Sequence, residues 1–231
     1  MKIGSNIEKQ IPETYDEVYS SGGAEQIYEL PYWRSQYRPV FNAVLKELTS
    51  RRVQSILEVG CGNGALAHMI LTKTNIAYRG FDFSSVAIKK AGVRTNRPEL
   101  FFVADARNPS AYVGYYDCII CTEVLEHLEN DLEVIGLWKT GLLCICSLPN
   151  FDSRTHVRFF QNEEEVKERY GSLLNIKMII KKKRPELADL SWKIYTRQLV
   201  LNLHNPAKLK KILGFNSFDK GGWFVFSGLK R

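Results

Sequence analysis

Between residues 53 and 148 the chain alternates short apolar runs with stretches whose apolar side chains recur at helical spacing. Ser55 to Val59 is the first run, five residues with one acid near the end, and suits a strand buried on both faces. Ala65, Leu66, Met69 and Ile70 then line one side of a predicted helix. Ala77 to Phe81 is a second run, followed by Val86, Ala87, Ile88 and Ala91 at helical period. Leu100 to Ala104 and Tyr116 to Thr122 are the third and fourth runs, and Leu142 to Leu148 is a fifth that stops at Pro149-Asn150. This order predicts an α/β domain built on a largely parallel sheet. Upstream, Phe41, Val44, Leu45 and Leu48 mark a helix that starts near Trp33 or Tyr37. Downstream, Asn162 to Tyr170 reads as an acidic helix, Leu173 to Ile180 as a sixth strand and Trp223 to Gly228 as the last.

Two segments break the pattern. Residues 1–40 form an N-terminal arm, polar and irregular over its first 30 residues, read as a lid over a bound ligand. Residues 181–222, too long for a turn, are read as a helical insertion of the 41–231 domain that shapes a substrate pocket. A structural cap is the bland alternative. No repeat or low-complexity tract is present.

Composition narrows the class. The hydrophobic fraction of 45% and charged fraction of 25% are those of a globular protein. No apolar run reaches the roughly 20 residues of a membrane span, and residues 1–6 have no signal core. A cytoplasmic protein is expected. Of the five cysteines, Cys118 and Cys121 lie three apart in one predicted strand and face opposite ways, which speaks against a shared metal. Cys144 and Cys146 read as small core hydrophobes. The net charge of +7 comes partly from the run 181–184 and from Lys208, Lys210 and Lys211. Solvated surface is one reading, and nucleic acid or another anionic partner through 181–184 and 208–211 is the other.

The candidate chemistry begins at the end of the first strand, where Glu58-Val-Gly60-Cys61-Gly62-Asn63-Gly64 precedes a helix. Glycines let a backbone approach a ligand, and a helix start aims free N–H groups at it. Dinucleotide sites require G-x-G-x-x-G; here the spacing is G-x-G-x-G. Glu58 would repel a pyrophosphate but suits a cationic amino-acid group. Asp82 closes the second run and could accept both hydroxyls of a ribose; capping the next helix is its alternative, a role Ser84 or Ser85 could fill. Asp105 closes the third run and Glu123 the fourth.

The ordered set E-x-G-x-G-x-G, Asp82, Asp105 and Glu123-Val-Leu-Glu126-His127-Leu resembles the motifs of the class I S-adenosylmethionine-dependent methyltransferases over roughly residues 55 to 150. Glu123-x-x-Glu126-His127 followed by His156 is similar to the pattern of the small ubiquinone-biosynthesis O-methyltransferases. The resemblance implies a Rossmann-like seven-stranded sheet in the order 3-2-1-4-5-7-6, with the last strand antiparallel. It implies S-adenosyl-L-methionine as cofactor, S-adenosyl-L-homocysteine as product, and cofactor contacts at Glu58, Gly60, Cys61, Gly62, Asn63, Gly64, Asp82, Phe83, Asp105, Ala106, Thr122 and Glu123. The expected reaction moves a methyl group to an oxygen or nitrogen of a small molecule. An RNA methyltransferase and a non-catalytic cofactor-binding module are the alternatives. No Asn/Asp-Pro-Pro-aromatic motif or Pro-Cys pair of the DNA-modifying enzymes is found.

His127 and His156 are the candidate catalytic bases. A helix after the fourth strand would put Glu123, Glu126 and His127 on one face. With His156 this set is similar to the metal-binding set of small-RNA 3′-terminal 2′-O-methyltransferases, whose long histidine-containing stretch this chain lacks. Metal is accordingly not assigned, and Glu123, Glu126, His127 and His156 stand as the alternative metal set. Arg154 and Arg158 flank His156 and are read either as a clamp for an anionic substrate or as loop salt bridges.

Overall fold

A computed structural model describes residues 1–3, 29–153, 155–184, 192–206, 208–209 and 221–231. Its strands are β1 (Lys2–Ile3), β2 (Ser55–Val59), β3 (Ala77–Asp82), β4 (Phe101–Val103), β5 (Cys118–Thr122), β6 (Leu143–Pro149), β7 (Arg158–Phe159), β8 (Leu174–Lys183) and β9 (Gly222–Lys230). Its helices are α1 (Arg38–Ser50), α2 (Ala65–Lys73), α3 (Ser85–Thr95), α4 (Asp131–Gly136), α5 (Glu163–Tyr170) and α6 (Trp192–Leu201). Seven strands form one sheet in the order β4-β3-β2-β5-β6-β9-β8, and β1 pairs with β7 apart from it. Strands β2 to β6 of the sheet run parallel, and β9 runs antiparallel between β6 and β8. Numbered without the two short strands, this is the expected order 3-2-1-4-5-7-6.

The apolar runs form the sheet's center because both faces are covered. Cys118, Ile119, Ile120 and Cys121 are all fully buried. Ile56, Cys118, Ile120 and Ile145 pack against Val40, Val44 and Leu48 of α1 and Met69 and Ile70 of α2. Leu57, Val59, Ile119, Cys121, Cys144 and Cys146 pack on the other side with Trp138, Phe160 and Tyr170. Cys118 and Cys121 thus fall in opposite cores, as strand alternation requires. Asp117 accepts hydrogen bonds from the backbone N–H groups of Gln54 and Ser55, both at 3.0 Å, and fixes where β5 starts relative to β2. Parallel strands all point their carboxyl ends to one edge, where ligands bind in such sheets.

Some expectations shift. Lys181, Lys182 and Lys183 belong to β8 rather than to the expected 181–222 insertion. Strand β8 is a sheet edge, and lysines there keep an exposed edge from pairing with another chain. Helix α6 lies within the expected helical insertion, and Val200, Leu201 and Leu203 near its end are exposed. Residues 4–28 of the expected lid, Lys210, Lys211 and Arg154 lie outside the described residues. No described helix is long and apolar enough to cross a membrane.

Candidate active site

The glycine turn joins β2 to α2 with three left-handed residues, Gly60 (φ 67°), Gly62 (φ 50°) and Gly64 (φ 75°). Side chains would strain all three, and space forbids two of them. A Cβ on Gly60 would run into Cγ2 of Val124, and one on Gly64 would sit 2.9 Å from Cα and Cβ of Ala91 in α3. Gly64 thus lets α2 and α3 pack closely. The turn is closed by Asp82, whose Oδ2 accepts from Gly62 N–H at 2.9 Å while Oδ1 accepts from Ser84 N–H at 3.0 Å. Ser84 caps α3 by accepting from Ala87 N–H at 3.0 Å, so Asp82 is not the helix cap. Cys61 N–H donates to Phe81 O at 2.9 Å, and Cys61 and Asn63 are buried in the turn.

Glu58, Asp82 and Asp105 follow the same strand edge. Asp82 is close enough to raise the cost of ionizing Glu58, and Ala104 N–H donates to Asp82 O at 3.0 Å. Glu58 is buried, and its Oε2 accepts from Tyr78 O–H at 2.5 Å. Burial lifts its pKa to about 8, the tyrosine bond pulls it down, and Asp82 adds to the rise. Gly80 makes this contact possible, because any Cβ there would collide with the Tyr78 hydroxyl. Neither Tyr78 nor Gly80 is marked by a sequence motif. Asp105 is 40% exposed and pairs with Arg107 through Nε at 2.9 Å and through its second guanidinium nitrogen. These bonds hold its carboxyl below the usual range. Phe83 is half-buried, and the Ala106 carbonyl accepts from Tyr112 O–H at 2.6 Å.

The segment after β5 is not the expected helix. Thr122 ends the strand, Glu123 is left-handed (φ 57°), and Leu125–His127 form a single 3-10 turn before α4 begins at Asp131. Glu123 therefore does not share a helix face with Glu126 and His127. Instead its N–H donates to Ser147 Oγ at 3.1 Å, and Ser147 Oγ donates back to Glu123 Oε1 at 2.7 Å. Burial lifts Glu123 to about 7, opposed by Ser147, by the nearby Trp223 indole and by the charge of Arg184. The Trp223 N–H itself makes no hydrogen bond of standard length. A left-handed non-glycine residue costs about 1–3 kcal/mol and clusters at functional sites.

Glu126, His127 and His156 come together. His127 Nδ1 donates to Thr155 O at 2.8 Å, and His156 Nδ1 donates to Phe151 O at 3.1 Å. Carbonyl oxygens only accept, so each ring carries its proton on Nδ1 and keeps a lone pair on Nε2. The rings lie 5.0 Å apart, edge to face. Glu126 is fully buried, both its oxygens lack hydrogen-bond partners, and one lies 3.8 Å from His127 Nε2. Burial pushes the Glu126 carboxyl well up, lowers His127 to about 4 and lowers His156.

One ligand atom from each of Glu126, His127 and His156 falls within 4.8 Å of the others, a grouping that leaves out Glu123. The three residues fit a divalent ion. Two neutral imidazoles with Nδ1 fixed by carbonyls, beside an orphaned carboxylate, are what nitrogen and oxygen ligation needs.

Arg158 is not available to a substrate. It is buried, donates to three backbone carbonyls and is ion-paired with Asp131. His68 meets Tyr32 edge-on at 5.6 Å, and His204 is exposed.

Residues 32–140 match the family model described as a methyltransferase domain. That match joins the sheet order and the glycine turn. The chain carries a class I methyltransferase domain. The ubiquinone biosynthesis O-methyltransferase of Rickettsia felis is 27% identical over 113 residues, 44% of each chain, so the chain spans less than half the length of that curated relative. Among solved structures, the [4+2]-cyclase SpnF aligns with a TM-score of 0.66 at 15% identity, over 100% of this chain and 99% of that one. The N-methyltransferase NodS from Bradyrhizobium japonicum, solved with S-adenosyl-L-homocysteine, aligns at 0.60 and 15%, over 94% and 97%. At such identities these likenesses establish the fold of the methyltransferase domain and nothing finer.

Proposed function

We propose that the chain transfers the methyl group of S-adenosylmethionine to an oxygen or nitrogen of a small molecule. A protein named as a cyclase shares the fold end to end, so the site must carry the reading. The observation that carries it is the glycine turn closed by Asp82, with Glu58 before it and Asp105 further along the same sheet edge. In this reading Gly60 to Gly64 admit the amino-acid end of the cofactor, Glu58 balances its ammonium, Asp82 receives the ribose and Asp105 the adenine. Cys61, Asn63, Phe83, Ala106, Thr122 and Glu123 complete the contacts. Bound S-adenosylmethionine supplies an electrophilic methyl group. The protein must then orient the acceptor and take its proton. In this reading the Nε2 lone pairs of His127 and His156 accept that proton. The setting is the cytoplasm, where buried free thiols such as the five cysteines persist.

A metal-assisted form of the same reaction is the second reading. A histidine held near pKa 4 is a weak proton acceptor at neutral pH but a ready ligand. The orphaned Glu126 carboxylate favors a cation beside it. A divalent ion there would bind an acceptor oxygen and lower its pKa. The experiment is a thermal-shift comparison of S-adenosylhomocysteine with NAD, followed by metal analysis of chelator-treated protein and a screen of acceptors with labeled cofactor. Preferential stabilization by NAD rejects the cofactor. Metal add-back that leaves activity unchanged rejects the second reading. RNA affinity that falls steeply with salt and disappears on changing Lys181 to Lys183 would move the acceptor class to nucleic acid.

A further inference from the structure

Residues 155–158 lie against the 125–129 turn and hold it at several points. Thr155 O accepts from His127 Nδ1 at 2.8 Å, and Val157 N–H donates to Glu126 O at 2.8 Å. Arg158 reaches furthest. One guanidinium nitrogen donates to Leu125 O at 2.8 Å and Leu128 O at 2.5 Å, and the other donates to Glu129 O at 3.0 Å. A single 3-10 turn bonds few of its own carbonyls, and this guanidinium satisfies three that bracket Glu126 and His127.

The guanidinium is itself held from behind. Asp131 is fully buried and meets Arg158 at 3.0 Å, Arg169 at 2.8 and 2.5 Å, and the Tyr170 hydroxyl at 2.7 Å. Apolar residues of similar volume often stabilize a core as well as such a buried ionic network does. What apolar residues cannot do is fix the carbonyl directions of an irregular loop.

We propose that Arg158 is a positioning residue, which sets the register of the 125–129 turn against residues 155–158 and so the directions of the Glu126 carboxylate and the His127 and His156 Nε2 atoms. Its bearing on methyl transfer rests on the reading of the site given above. Its geometric content stands without that reading. Arg158 itself touches neither the glycine turn nor any proposed cofactor contact.

Two-bond proton–nitrogen correlations of the imidazole rings test this on the full chain at fixed pH, with and without S-adenosylhomocysteine. The unaltered chain is expected to show both rings protonated on Nδ1. Folded Arg158→Met is expected to lose the single tautomer of His127, Arg158→Lys to recover part of it, and both to bind S-adenosylhomocysteine within about twofold of the unaltered chain. Unchanged tautomers at both rings in folded Arg158→Met overturn the proposal. Should that variant not fold, Tyr170→Phe, which loosens Asp131 from its far side, decides in the same way. An unaltered chain that does not bind S-adenosylhomocysteine sinks the cofactor reading and leaves the tautomer comparison intact.

Discussion

Replacing Gly60 with alanine tests whether the cofactor turn and the loop after β5 are one packed unit. Two separate costs arise. The residue is left-handed at φ 67°, which costs an alanine about 1–2 kcal/mol. The new methyl also meets Cγ2 of Val124 far inside van der Waals contact. Val124 is β-branched and stiff at χ1, so relief requires movement of the Glu123–Leu125 backbone, a form of overpacking that costs about 1–3 kcal/mol. The sum of about 2–5 kcal/mol lowers Tm by about 4–20 °C for a chain of this length. Thermal melts of Gly60→Ala, Val124→Ala and the double variant separate the contributions. The second substitution removes the clashing methyl and should return the overpacking share, leaving the backbone share of about 1–2 kcal/mol. A Gly60→Ala protein that melts within about 2 °C of the original refutes both costs. An additive double variant refutes the contact between the turn and Val124.

Two further outcomes follow from the buried acids. Glu126→Met removes an unpartnered buried carboxyl and is expected to raise Tm and, in the metal-assisted reading, to abolish methyl transfer, a trade of stability against function; a lowered Tm, read by calorimetry, contradicts the orphaned state of Glu126. Glu58 binds its proton more tightly folded than unfolded, since its pKa rises from 4.5 to about 8. Stability is then highest below the unfolded pKa and falls as pH rises toward 8, by at most roughly 5 kcal/mol. Denaturant titrations from pH 5 to 8.5 should show a flatter profile for Glu58→Gln, and an unchanged slope would falsify the assignment.

The parallel core was legible because its strands are buried on both faces and read as unbroken apolar runs. Ser55–Val59 and Cys118–Thr122 are examples. The glycine turn was legible because three left-handed positions in five residues leave few side-chain choices. The segment after Thr122 was not. Glu123, Glu126 and His127 have helical spacing, but the left-handed backbone at Glu123 is stabilized by Ser147, 24 residues away on β6, a pairing no local pattern contains. For Arg158 the salt-bridge alternative holds, through Asp131. Its three hydrogen bonds to the Leu125, Leu128 and Glu129 carbonyls are again pairings that no local pattern contains. Tyr78 reads as one more apolar strand position until the missing side chain of Gly80 lets its hydroxyl reach Glu58.

Calorimetric titration with S-adenosylhomocysteine, of the full chain and of Asp82→Ala, addresses the central claim most directly. Saturable binding of one equivalent is expected, with NAD failing to compete. Loss of hydrogen bonds to a charged acceptor, worth about 1.5–3 kcal/mol, should weaken the variant at least about tenfold. Absence of binding, or equal affinity in the two proteins, would contradict it.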